Sequence, residues 1–303
     1  MVRYPAAIGF YPGNKDELIS MIKWAFTHSY GPGNEPKVKY PGKKELFGVI
    51  SPHAGYIFSG PIAAHSFNKL AEDGPRRRII LFGPSHGYPV PGAAVAEKDE
   101  KWMTPLGDVS LDTEFITTLL AEKNDAIMES RLAHSHEHSI EVQLPFLQYL
   151  FKDNFSIVPV IFGSISYSTI QRIAETFVDV MKSFDLSDTF FVVSSDFTHY
   201  GSGYGYAPAG TGPVSKVLKW MYDHDGEAIK RIIEMNSESF FKYVTENHMT
   251  ICGYVGITTA LVIAKKFNMT KGTLLKYATS WDTNEDYRSE AHIVGYASIA
   301  LGR

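Results

Sequence analysis

"FGVISPHAGYIFSG", residues 47–60, carries an apolar run straight into proline, histidine and an Ala-Gly pair. A short apolar run without polar alternation reads as a strand covered on both faces, the kind found in sheets flanked by helices. Five more such runs follow: "RIILFG" (78–83), "SIVPVIFG" (156–163), "TFFVVSS" (189–195), "TLLKYATS" (273–280) and "HIVGYASIAL" (292–301); the first, with Leu46, spans 46–51. Helical patterns lie between them over 15–29, 139–151, 167–184 and 253–267. Strands alternating with helices predict an α/β sandwich around one sheet. No repeat or charged run divides the chain, and the Gly, Pro and Tyr-rich "GYGYAPAGTGPVS" (203–215) reads as a surface loop. One domain over 1–303 is expected.

The histidine within the quoted stretch is not alone. His53 follows the run 46–51, His86 follows "RIILFGPS" and His199 follows "FFVVSSDFT". In an open α/β sheet the ligand crevice lies at the carboxyl ends of the strands. Any one of these histidines alone is more often a hydrogen-bonded loop or core residue; three in the same relative position suggest one cleft. Imidazole is also the commonest side chain for holding a metal or moving a proton near neutral pH.

Cys252, the only cysteine, stands just before the apolar helical segment of "ICGYVGITTALVIAKK". A helix N-terminus favours thiolate there, although a lone cysteine also serves as a small buried apolar group. "AHSHEHSIEVQLPFL" (133–147) packs His134, His136, Glu137, His138 and Glu141 at the start of a helical pattern, and no H-E-x-x-H occurs in it. These residues either cap the helix or support the cleft from behind. Asp196, three residues before His199, either caps a turn or orients that imidazole. Phe10, Tyr11 and Tyr56 either form an aromatic pocket floor or fill the core.

Composition narrows the classes of function. With 44% hydrophobic and 20% charged residues and a net charge of −4, the chain is an ordinary globular one. It offers no basic field for nucleic acid or an anionic membrane. The single cysteine allows no internal disulfide, and neither a leader pattern nor a spanning apolar run is present, so a cytoplasmic location is expected.

The motifs "GFYPG", "SPHAGYIFSG", "LFGPSHG", "TPLGDV", "EHSIEVQLPFL", "SSDFTHY" and "ICGYVGI" occur in an order that resembles the Memo family, from Gly9 to the terminal "VGYASIAL". The resemblance implies a single-domain α/β sandwich with a central mixed sheet, similar to the catalytic subunit of class III extradiol dioxygenases. It implies His53 and His86 as metal ligands, with Cys252 where the dioxygenases place a carboxylate, and His199 as the acid and base, partnered by Asp196. His138, Glu137, Glu141 and Tyr56 then stand around the ligands. A divalent metal is implied, Fe(II) first. A softer thiolate in the set suits Zn or Cu as well. The reading is a metal-dependent oxidoreductase acting on a small aromatic or phenolic ligand. The alternative, suggested by animal members of the family, is a non-catalytic adaptor that binds a peptide or protein partner in the same cleft.

Overall fold

The computed structural model describes residues 1–303. Its centre is four parallel strands in the order Ser156–Phe162, Arg78–Pro84, Thr189–Ser194 and Leu46–Ser51. Ile80 lies between Val158 on one side and Phe191 on the other, and Phe191 in turn faces Gly48. Gly48 has no alternative: a Cβ there would stand 2.7 Å from that of Phe191. The sheet becomes mixed at its flanks. Ile293–Gly302 runs antiparallel to Leu46–Ser51, and Lys271–Thr279 runs antiparallel to Ile293–Gly302. On the far side, Gly107–Leu111 joins Ser156–Phe162 in parallel and pairs antiparallel with Lys101–Thr104. The central strands are buried almost throughout, as their unbroken apolar runs require.

Helices cover both faces. Lys15–Thr27 starts on Asn14, whose side chain accepts from the N–H groups of Asp16 and Glu17. It buries Leu18, Ile22, Ala25 and Phe26, each large apolar side chain contributing roughly 1.5–3 kcal/mol. Tyr56–Asp73 carries Pro61 in its interior. Proline has no N–H to give the carbonyl four residues back, and that carbonyl, on Ile57, accepts from Asn284 Nδ2 at 3.0 Å instead. The expected helix over 139–151 begins as a tight turn, Glu141–Gln143, and becomes α-helical only at Leu144–Phe151. No helix is long and apolar enough to cross a membrane.

Glu141 acts away from the cleft. It is fully buried, accepts from Arg3 Nη1 at 2.5 Å, from the N–H groups of Ala6 and Ala7, and from the Tyr11 hydroxyl. It therefore clamps the N-terminal segment onto the core, with Arg3 lying 4.1 Å over the Trp102 ring. Replacing one partner strands the other charge in a dry site. Glu141→Ala should lower the unfolding free energy by about 3–5 kcal/mol, read from urea denaturation.

Candidate metal centre

His53 follows the strand Leu46–Ser51 by two residues, and His86 follows Arg78–Pro84 by the same number, which brings both to the carboxyl edge of the sheet. His138 reaches them from the turn ahead of Glu141. One ligating nitrogen from each of the three lies within 4.8 Å of the others. The rings are ordered: Phe10 stacks on His138 at 4.1 Å, His138 stacks on His86 at 4.6 Å, and His53 stands edge-on to both histidines.

The partners of the outer nitrogens fix the tautomers. Ser194 Oγ gives its proton to the Ser139 carbonyl at 2.6 Å and accepts from Gln143 Nε2 at 2.8 Å. It can therefore only accept from His53 Nδ1, at 2.8 Å, which leaves a lone pair on His53 Nε2. His86 Nδ1 faces Glu137 Oε1 at 2.9 Å, and the same carboxylate takes the His86 and Ser139 N–H groups at 2.7 and 2.9 Å. A carboxylate behind an imidazole sets the ring and raises its basicity as a ligand. Burial, reinforced by the neighbouring histidines, pushes the pKa of His53 well down, and burial brings His138 to about 4. Burial also disfavours charge on His86, but the bond to Glu137 and its charge outweigh that and raise it. Glu137, despite burial, is held down to about 2 by His86. Glu137→Gln should weaken binding of Zn(II) by roughly 10–100-fold in a competitive chelator titration.

The clustered histidines separate into three environments. His134 is buried, with Nε2 on the Ala94 carbonyl at 3.0 Å and its ring edge-on to Trp102. His136 points to solvent, and His138 faces the cleft. Tyr56 is buried, its hydroxyl donating to the Val142 carbonyl at 2.7 Å, and Tyr11 is buried on Glu141. Of the three aromatic residues considered from sequence, only Phe10 lines the cleft.

Cys252 Sγ stands 3.3 Å from His53 Nε2, outside the three-histidine group. Its thiol is pushed up by burial and by the Asp196 carboxylate, opposite to the shift expected from the helix N-terminus. The first helical amides act only weakly here, and the Gly253 N–H donates to Ser195 Oγ at 3.0 Å. Asp196 does not hydrogen-bond the His199 ring as its spacing suggested. It accepts the His53 N–H at 2.8 Å, while His199 Nδ1 faces the Thr250 carbonyl at 3.0 Å. Because a carbonyl only accepts, Nδ1 carries the proton and Nε2 of His199 is the basic nitrogen. Thr250 Oγ1 also takes the His199 N–H at 2.8 Å. Ser194, Gln143 and Thr250 had no mark in the sequence; each is an ordinary polar residue whose role appears only through its partner.

These groups open into a cavity of about 580 Å³. His199, Tyr204 and His292 form its second wall, with Tyr204 edge-on to both imidazoles at 5.1 Å. Five histidines line the cavity, and neither lysine nor arginine does.

A mixed α/β sheet with three converging imidazoles at its carboxyl edge defines a protein able to hold a metal ion there. The family described as "Memo-like protein" matches residues 3–300, and the chain belongs to it. It is 41% identical to a MEMO1 family protein of Methanopyrus kandleri over 308 aligned residues, covering all of both chains. It is 36% identical to one from Sulfurisphaera tokodaii and 37% identical to one from Saccharolobus solfataricus, again over the full length of each.

Proposed function

We propose that the cleft binds one divalent metal, Fe(II) in the first place and Zn or Cu by the same donors, and serves a metal-dependent oxidoreductase. The observation that carries this reading is the fixed tautomer of His53: its proton faces Ser194, so the lone pair of Nε2 is free for a metal in the group that His53 forms with His86 and His138. Cys252 fits as a further donor. Nitrogen and sulfur bound to one tetrahedral zinc, at about 2.0–2.1 and 2.3 Å, stand about 3.5–3.6 Å apart, and Sγ lies within a few tenths of an ångström of that, 3.3 Å from His53 Nε2. Thiolate and imidazole together suit Fe, Zn or Cu rather than Mg or Ca. Such a metal supplies a Lewis acid and, for Fe or Cu, a redox centre.

The chain's own residues do the rest. Nε2 of His199 accepts or returns a proton at the ligand, its ring held by Thr250. Asp196 fixes the loop that carries His53. Phe10, Phe58, Tyr204, Tyr287 and Tyr296 line the cavity, which favours a small planar aromatic or phenolic ligand. With no lysine or arginine in the lining, a strongly anionic ligand has only imidazoles and metal to meet it. We read the sheet and cleft as similar to a class III extradiol dioxygenase subunit, working in the cytoplasm.

A second reading has its own support. Tyr287 is 62% exposed and Tyr204 41% exposed, so the cleft opens through an aromatic rim of the kind that binds a partner without turnover. Oxygen consumption by the Fe(II)-loaded protein, screened with catechols and other phenols, separates the two. Ligand-dependent uptake above the metal-only background supports the oxidoreductase; tight phenol binding with no uptake supports the binding protein.

A further inference from the structure

Asp225 lies in the middle of the helix Val214–Ile233, on the face that buries Met221, Ala228, Ile229 and Ile232, and it is fully buried. No cation pairs with it. Its Oδ1 accepts from Thr198 Oγ1 at 2.6 Å, and its Oδ2 accepts from Tyr277 Oη at 2.6 Å and from the Thr198 N–H at 3.4 Å. Its seat is shaped by Gly295, where a Cβ would come within 2.4 Å of Oδ2. Two backbone bonds close the knot: Phe197 N–H donates to the Gly295 carbonyl at 2.8 Å, and Gly295 N–H to the Thr198 carbonyl at 2.9 Å.

A buried carboxylate without a counter-ion is costly, and an apolar side chain of similar volume serves stability better. Burial pushes this one up to about 6, against the pull of its hydrogen bonds to Thr198 and Tyr277 and of nearby His199. What the carboxylate holds is the short segment from Asp196 to His199. At one end Asp196 accepts the His53 N–H; at the other His199 must meet the Thr250 carbonyl at 3.0 Å to keep its proton on Nδ1. A backbone shift of a few tenths of an ångström at Thr198 lengthens that bond.

We propose that Asp225 is a positioning residue that sets the ring of His199 by gripping both the backbone and the hydroxyl of Thr198. This rests on the reading of His199 as the proton carrier, but its test needs neither metal nor substrate. In protein carrying ¹⁵N-histidine, long-range nitrogen–proton spectra report which ring nitrogen of His199 bears the proton; His199→Gln assigns the signal.

Wild-type protein should show His199 as one species protonated on Nδ1 at pH 8. Asp225→Asn keeps the shape but puts an N–H₂ against either the Thr198 hydroxyl or the Thr198 N–H and Tyr277 hydroxyl, so the charge-assisted grip on Thr198 is weakened in both orientations. Thr198→Val removes one donor and no charge. Both should shift His199 to a mixture of tautomers while the His53 signals stay within the line width. Tyr277→Phe removes the second donor to Oδ2 but leaves the stronger grip of Oδ1 on the Thr198 hydroxyl, and should leave the His199 signal as in wild type. A purely structural role would lower the melting temperature of all three variants and leave the His199 tautomer alone. The proposal is overturned if Asp225→Asn and Thr198→Val both retain the single Nδ1-protonated species. If Asp225→Asn does not fold, the same decision rests on Thr198→Val. Failure of the metal reading would appear separately, as no change in the His53 and His86 signals when Zn(II) is added.

Discussion

His53→Ala should lower affinity for Zn(II) or Fe(II) by more than about 100-fold, beyond the 10–100-fold that loss of a supporting group costs. His53 is the most buried of the three converging imidazoles and the one that both His86 and Cys252 approach. Alanine retains the backbone N–H that Asp196 accepts, and Ser194 keeps its bonds to Ser139 and Gln143. The sheet should therefore survive while the centre is lost. Elemental analysis after anaerobic loading and gel filtration is expected to give close to one equivalent for wild type and less than about a tenth of that for the variant, with the far-ultraviolet circular dichroism of the two superimposable.

His199→Gln should separate turnover from metal. A glutamine amide can still donate to the Thr250 carbonyl, but it cannot take up a proton, so any phenol-dependent oxygen consumption should fall by roughly 10²–10⁴. His199 lies outside the three-imidazole group, and metal affinity should remain within about tenfold of wild type. Loss of metal along with activity would move His199 into the ligand set; unchanged turnover would remove it from the proton path.

The central strands were legible because they are buried on both faces, whereas the short flanking strands Lys101–Thr104 and Gly107–Leu111, partly exposed, carry no continuous apolar run and were not. The run Leu46–Ser51 occurs as expected, and the other five are recovered within two residues at either end. The helix Tyr56–Asp73 was hidden by its interior Gly60–Pro61, which reads as a breaker until Asn284 is seen satisfying Ile57. Val214–Ile233 and Ser237–Glu246 were missed for another reason: their apolar stripes are sparser among charges than the one that marked 167–184.

At the site, position after a strand was enough to mark His53 and His86, but His138, which joins them, was read from the sequence only as a residue around the ligands, with Cys252 as the third donor. Spacing could not say which of His134, His136 and His138 turns inward, because that depends on the short turns around Glu137. Glu137 and Glu141, four residues apart, illustrate the same limit. One holds His86 in the cleft, and the other holds Arg3 and the N-terminal segment. Likewise Asp196 is near His199 in sequence yet bonds the His53 loop, while the partner of the His199 ring, Thr250, is distant in the chain.

The most direct measurement is X-ray absorption at the zinc edge of protein loaded with one equivalent of Zn(II). The expected first shell contains nitrogen at about 2.0–2.1 Å with the outer-shell scattering of imidazole rings, and one sulfur at about 2.3 Å from Cys252. A shell of oxygen alone, with no imidazole scattering, would contradict a metal centre built on His53, His86 and His138.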